Sequence, residues 1–185
     1  MDGREVHDDH DHRDRGPGEA DLARASVAFV GRHNSGKTTF IARVLPLLVA
    51  RGLRVGYVKH AHTGFEIDHP GKDSYLVRRT GVLQTIVAGG GQVAVIDDGE
   101  PDASLESVIR RYVRDDLDLL VVEGWKREAL PKIEVARAAL AREYVCGEDP
   151  LLLAVVSDFD APRGVPRFDP DDAAGVAELI AQRAG

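Results

Sequence analysis

At 185 residues, 43% of them hydrophobic, the chain is long enough for one full α/β core and short for two. A net charge of −7 and a pI near 5.5 argue against general nucleic-acid binding, which needs a basic surface. The single cysteine, Cys146, excludes an intrachain disulfide framework, and no apolar run approaches the roughly 18 residues of a membrane span. With no signal-peptide core at the N-terminus, the expected location is the cytoplasm.

Residues 1–22 are polar, lack apolar periodicity and are expected to be disordered. Their cluster His7-Asp8-Asp9-His10-Asp11-His12 carries metal-ligating side chains, but a solvated charged tail is favoured because no rigid frame fixes them. From residue 23 onward a single nucleotide-binding domain is expected. Ser26-Val27-Ala28-Phe29-Val30 reads as a buried strand. Next comes Gly31-Arg32-His33-Asn34-Ser35-Gly36-Lys37-Thr38-Thr39, which fits G-x-x-x-x-G-K-[ST]. Phe40, Ile41, Val44, Leu45, Leu47 and Leu48 then recur at roughly helical spacing, so a helix opens at Thr38 and ends near Gly52. Pro46 should kink or break it locally.

Strand, glycine loop and helix in that order make a phosphate cradle. Gly31 and Gly36 let successive N–H groups face one concavity, and the helix N-terminus adds its dipole. Lys37 reaches the outer phosphates and the Thr38 hydroxyl joins a Mg²⁺ shell.

Leu53–Lys59 reads as a second strand, and the loop from His60 to Asp73 is long and rich in ionisable groups, which marks it as functional. A short helix from Asp73 to Arg79 stops at Gly81. Two strands, Thr85–Ala88 and Gln92–Ile96, flank the turn Gly89-Gly90-Gly91. An amphipathic helix follows from Ser104, then a buried strand over Asp118–Gly124. Lys132-Ile133-Glu134-Val135 reads as a short edge strand, available for edge-to-edge pairing, and Leu151–Asp158 as another buried one. A final helix holds Ala173, Ala174, Val176, Ala177, Leu179 and Ile180. Strands alternating with helices predict a three-layer α/β/α domain around a mainly parallel sheet, the P-loop NTPase class.

Ligands of such sheets sit at the C-terminal strand ends. That rule selects the phosphate loop, Lys59 with the loop holding Asp68, Glu123, and Ser157-Asp158. Glu123 stands where nucleotide hydrolases place an acid for Mg²⁺ or its waters; the competing role is a cap on a neighbouring loop. Asp68 is either a second metal contact or a turn residue before His69-Pro70-Gly71. Lys59 either neutralises phosphate or pairs with an acid.

Several separated blocks resemble the MobB-type adapter proteins of molybdenum-cofactor (molybdopterin guanine dinucleotide) biosynthesis. They are Gly31–Thr39, Val58-Lys59-His60, Phe65-Glu66-Ile67-Asp68, Pro70–Tyr75, Asp118–Lys126, Pro131–Val135 and Ala154–Asp158. The block from Lys59 to Tyr75 is what narrows the resemblance, since the phosphate loop alone is unspecific. The resemblance implies a GTP-binding homodimer with weak GTPase activity. Its partner would be the MobA-type guanylyltransferase that joins GMP to molybdopterin, with molybdopterin itself a further candidate ligand. Carried over by position, Gly31, His33, Asn34, Ser35, Gly36, Lys37, Thr38 and Thr39 bind the triphosphate. Thr38 with Asp68 or Glu123 holds Mg²⁺, and Ser157 and Asp158 meet guanine. A carboxylate accepts from guanine N1–H and N2–H₂, which adenine does not offer. The chain lacks the Asn-Lys-x-Asp base-reading motif of ordinary GTPases, and the His-rich tail is foreign to the family pattern.

Hydrolysis is expected to be slow, because no water-orienting group or arginine finger accompanies the loop. Lys126 and Arg127 beyond Glu123 offer positive charge, but a solvated face or partner contact accounts for them equally. Two other classes compete. A small-molecule kinase or an ATP-dependent ligase resembling dethiobiotin synthetases shares the loop, the lysine and a Glu-Gly. Here, however, Glu123-Gly124 leads into Trp125-Lys126-Arg127 rather than a glycine-rich turn. The other class is an interaction module with a vestigial nucleotide site.

Overall fold

The computed structural model describes residues 26–61, 64–98 and 103–184. In chain order they form β1 (Ser26–Val30), α1 (Lys37–Val49), β2 (Val55–Lys59), α2 (Asp73–Arg78), β3 (Gln84–Gly89) and β4 (Gln92–Asp97). Then come α3 (Leu105–Tyr112), β5 (Leu119–Glu123), β6 (Lys132–Val135), β7 (Leu152–Val156), β8 (Arg167–Phe168) and α4 (Ala173–Ala184). The His/Asp-rich tail of residues 1–22 lies outside the described residues. The chain divides into two compact units, one of them residues 60–111 and the other the segments on either side.

The flanking segments build a six-stranded sheet in the order β2-β5-β1-β6-β7-β8. Every neighbouring pair in it is parallel. β1 and β5 are buried at all five positions each, which is why both read as unbroken apolar runs rather than alternating ones. β5 inserts between β1 and β2, so the β1–α1–β2 crossover skips one strand position.

The core lies where α1 and α4 meet the sheet. Phe40, Ile41, Val44 and Leu48 of α1, with Val176, Ala177 and Ile180 of α4, pack on Val27, Phe29, Val121, Ile133 and Val135. Each large side chain buried this way stabilises the fold by about 1.5–3 kcal/mol. Phe29 and Phe40 meet with ring centroids 6.3 Å apart, which locks the start of α1 over the end of β1. At the rim, Arg43 donates to the Pro170 and Asp171 carbonyls at 3.1 and 2.8 Å.

Two expectations change. α1 is one helix through Pro46, not broken there. The proline removes only the donor to the Ala42 carbonyl, and three residues later the helix ends, with Gly52 N–H on Val49 O at 2.9 Å and Gly52 at φ 85°. β6 is an interior strand between β1 and β7, not an edge. Its Lys132 and Glu134 are both buried and satisfied internally. Lys132 Nζ donates to Glu128 O at 2.7 Å and pairs with Asp149 at 2.9 Å. The Glu134 carboxylate accepts from Val145 and Cys146 N–H at 2.6 and 2.8 Å. Its two sides being occupied, β6 cannot pair edge to edge. The two-residue β8 carries too little pattern to be read from sequence.

In the unit of residues 60–111, β3 and β4 form an antiparallel hairpin of their own. Gly90 and Gly91 at φ 59° and 77° supply the two left-handed residues that a tight two-residue hairpin turn requires. Ser104 Oγ accepts from Ser107 N–H at 3.1 Å and caps α3. Among the described residues, no helix is long and apolar enough to cross a membrane.

Candidate functional site

Strand register builds the site. Glu123, the last residue of β5, lies beside Lys59 of β2 on one side and Phe29 of β1 on the other. Residues in register share a face, so the carboxylate and the ammonium meet at the C-terminal edge of the sheet, where α1 begins. The phosphate loop rises from β1 directly next to them. Gly31, at φ 140°, sits so close to β6 that a Cβ there would collide with the Val135 carbonyl oxygen. Gly36, at φ 88°, precedes α1 as its N-cap residue, and its carbonyl accepts from Phe40 N–H at 2.9 Å.

Thr38 Oγ1 donates to Glu123 Oε1 at 2.7 Å. Lys59 Nζ lies 3.0 Å from Thr38 Oγ1 and 3.3 Å from Glu123 Oε1. Lys59 therefore pairs with the acid, one of its two expected roles, and also reaches the Thr38 hydroxyl. Lys37 Nζ folds back on its own loop, donating to Arg32 O at 2.8 Å and Gly31 O at 3.3 Å. Burial lowers the Lys37 pKa, with Glu123 opposing and Lys59 assisting. An arriving anion favours the charged amine and reverses that shift.

Glu123 is buried, which pushes its pKa up; the hydrogen bonds from Tyr57 and Thr38 and the charge of Lys59 outweigh this and hold it below the ordinary value. Tyr57 escaped the sequence reading. Its hydroxyl donates to Glu123 Oε2 at 2.6 Å, and burial followed by that bond drives the phenol pKa well upward. The signal was there in the spacing. Tyr57 and Lys59 are two residues apart on one strand and so share a face.

The other predicted residues divide. His33 and Asn34 are exposed at the loop crest, with Asn34 at φ 60°, and Thr39 is exposed at the start of α1. The Ser35 hydroxyl is buried and has no hydrogen-bond partner. Ser157 is fully buried, bonded to Tyr144 Oη at 2.6 Å and to Phe159 O at 2.7 Å. Asp158 is exposed, with Oδ1 accepting from Ala138 N–H at 2.7 Å. Asp68 belongs to the 60–111 unit, where Oδ1 accepts from His69 N–H at 2.9 Å as a turn residue would. Its Oδ2 is buried without a partner.

Thr38 and Glu123 thus offer two hard oxygen donors side by side, flanked by the Lys37 and Lys59 ammonium groups. That donor set fits a magnesium-bound polyphosphate. Residues 26–158 match the family model described as "Molybdopterin guanine dinucleotide synthesis protein B". The chain belongs to the MobB family. It is similar to the molybdopterin-guanine dinucleotide biosynthesis adapter protein of Escherichia coli (strain K12), at 36% identity over 159 residues, 84% of this chain and 91% of that one. The protein of the same name from Haemophilus influenzae is 32% identical over 133 residues, covering 72% and 74% of the two chains. The crystal structure of Bacillus subtilis MobB superposes with a TM-score of 0.68 at 28% identity, over 86% of this chain and 97% of that one. The six-stranded parallel sheet flanked by helices is the P-loop NTPase-like α/β fold of these MobB structures.

Proposed function

We propose that this chain is a GTP-binding adapter that assists a MobA-type guanylyltransferase in joining GMP to molybdopterin. The observation that carries the nucleotide part is the Thr38–Glu123–Lys59 cluster at the mouth of the phosphate loop. Gly31, His33, Asn34, Ser35, Gly36, Lys37, Thr38 and Thr39 would hold the polyphosphate, with Lys59 adding charge. Thr38 and Glu123 would hold Mg²⁺. Asp158 keeps one carboxylate oxygen, Oδ2, outside its bond to Ala138, which supports a role in meeting guanine. Ser157 supports it by fixing the turn.

Hydrolysis is slow in this reading. Both oxygens of Glu123 are engaged and its pKa is depressed, so it is a poor general base for water. The names of the relatives support the adapter role over the kinase or ligase class. A homodimer completes the proposal. Ile86 pairs with Val95 and Ala88 with Val93, so these apolar side chains share one face of the hairpin. Ile86 and Val93 remain 59% and 67% exposed. A two-stranded ribbon with an open apolar face is not self-sufficient, and a second copy of the chain would cover it.

Displacement of a fluorescent nucleotide by GTP and by ATP tests the reading, run on wild type and Lys37→Ala. GTP should displace far better than ATP, and the substitution should weaken binding roughly ten- to hundredfold, as loss of a charged phosphate contact does. Stimulation of guanylyl transfer by the wild type should fall with it. Preference for ATP would move the chain to the kinase or ligase class. Unchanged behaviour of Lys37→Ala would make the site vestigial. Steady-state GTP turnover near about 10 s⁻¹, a median enzyme's rate, would contradict the adapter.

A further inference from the structure

The C-terminal edge of β6 lies next to that of β1, with Val30 in register with Glu134. The chain leaving β6 therefore stands beside the phosphate loop, and its first two residues are Ala136 and Arg137. Arg137 Nη2 lies 3.5 Å from the point that a Cβ on Gly36 would occupy, and its Nη1 donates to Ala136 O at 2.9 Å. The guanidinium is half-buried, yet no carboxylate among the described residues forms an ion pair with it. A half-buried cation without a counter-ion, against the glycine that precedes the phosphate-gripping lysine, invites an anion.

The chain around it is held from both ends. Ala136 N–H continues the ladder to Val156 O at 2.9 Å, and Asp158 accepts from Ala138 N–H at 2.7 Å, fixing the residues on either side of Arg137. Leu140 and Ala141 N–H both turn back to Arg137 O, at 3.0 and 3.2 Å. The returning arm of this loop is clamped by Glu134 at Val145 and Cys146. Tyr144 stacks on Phe159 at 4.8 Å, and Glu143 reaches Arg32 of the phosphate loop at 3.6 Å. Within residues 136–141, Arg137 is the one charged side chain this support positions.

We infer that Arg137 is an arginine supplied in cis to the phosphate loop, contacting the polyphosphate of the bound nucleotide beside Gly36. The inference rests on the proposed nucleotide site and adds a third cation to Lys37 and Lys59. A guanidinium suits the task better than an ammonium. Its fork spans two phosphate oxygens while Nη1 keeps its backbone bond. Asp158 acquires a second role through it, as the positioning residue that holds Ala138.

The test uses the full chain and a fluorescent GTP analogue, with Arg137→Ala and Arg137→Gln beside wild type and Lys37→Ala. Arg137→Gln retains an N–H able to bond Ala136 O, so it guards against a variant that merely misfolds. Both Arg137 variants should unfold within a few degrees of wild type and bind the analogue roughly ten- to hundredfold more weakly. Millimolar guanidinium ion should restore part of the affinity of Arg137→Ala and none of that of Lys37→Ala, which a purely structural role would not produce. Wild-type affinity in Arg137→Gln, or loss in Arg137→Ala without guanidinium rescue, would overturn the inference and leave the nucleotide reading standing. Failure of wild type to bind any nucleoside triphosphate would overturn both.

Discussion

Around the phosphate loop Lys37, Lys59 and Glu123 already have partners inside the chain, whereas the β3–β4 hairpin keeps Ile86 and Val93 more than half exposed. The first region is finished by folding. Strand register sets its geometry, and in the proposed function a ligand would take over contacts that Lys37 and Lys59 already make within the chain. The second is not finished: β3 and β4 pair with each other, while among the described residues the apolar face they share stays open. The contrast separates charged groups that folding already holds in place from an apolar surface that it leaves open. In the function proposed above, the first would hold a small anion and the second would meet another chain.

The difference can be broken most sharply at Gly31. Gly31→Ala combines a left-handed backbone with a collision on the Val135 carbonyl, so the variant should lose about 3 kcal/mol or more of stability. Chemical denaturation measures this; a loss under about 1 kcal/mol would show that the loop and β6 are only loosely joined.

On the hairpin the same kind of insult should spare folding and remove association. Ile86→Glu with Val93→Glu places two charges on the shared apolar face. Sedimentation velocity at micromolar concentration should find a wild-type dimer and a variant whose dimerisation weakens by about a hundredfold or more. A monomeric wild type would remove the second copy from the proposal.

Glu123 sharpens the comparison most finely. Its folded pKa lies below the ordinary 4.5, so its partners stabilise the fold fully above that value and progressively less as pH falls through the lowered one. Glu123→Gln should be less stable than wild type by roughly 1–2 kcal/mol at neutral pH. The gap should close as the medium is acidified below the ordinary carboxylate range. A pH-independent gap would mean that packing, not charge, accounts for the substitution.

Much of the site was legible because its signals are local. Gly31–Thr39 declared itself by spacing, and Lys59 and Glu123 by ending apolar strands. Tyr57 was missed although its alternation with Lys59 was visible, because an aromatic residue inside a strand normally signals packing. Arg137 was missed for a longer-range reason. An edge strand at β6 would have put its C-terminal end away from that of β1, where the phosphate loop begins.

The sequence by itself determined the phosphate loop, the helix behind it, the run of buried strands and the blocks that mark the MobB family. Those are properties of residues within one or two turns of each other, where propensity and spacing act directly. Only the tertiary structure decided that β5 lies between β1 and β2, and that β6 is interior. It alone brought Thr38, Tyr57 and Lys59 to a single carboxylate. Strand order is a choice among distant partners, and a buried Lys or Glu looks like a solvated one until its internal partner is seen. Lys132 and Glu134 show the consequence: charged by composition, they are core residues by contact, and the loop they anchor carries Arg137 to Gly36.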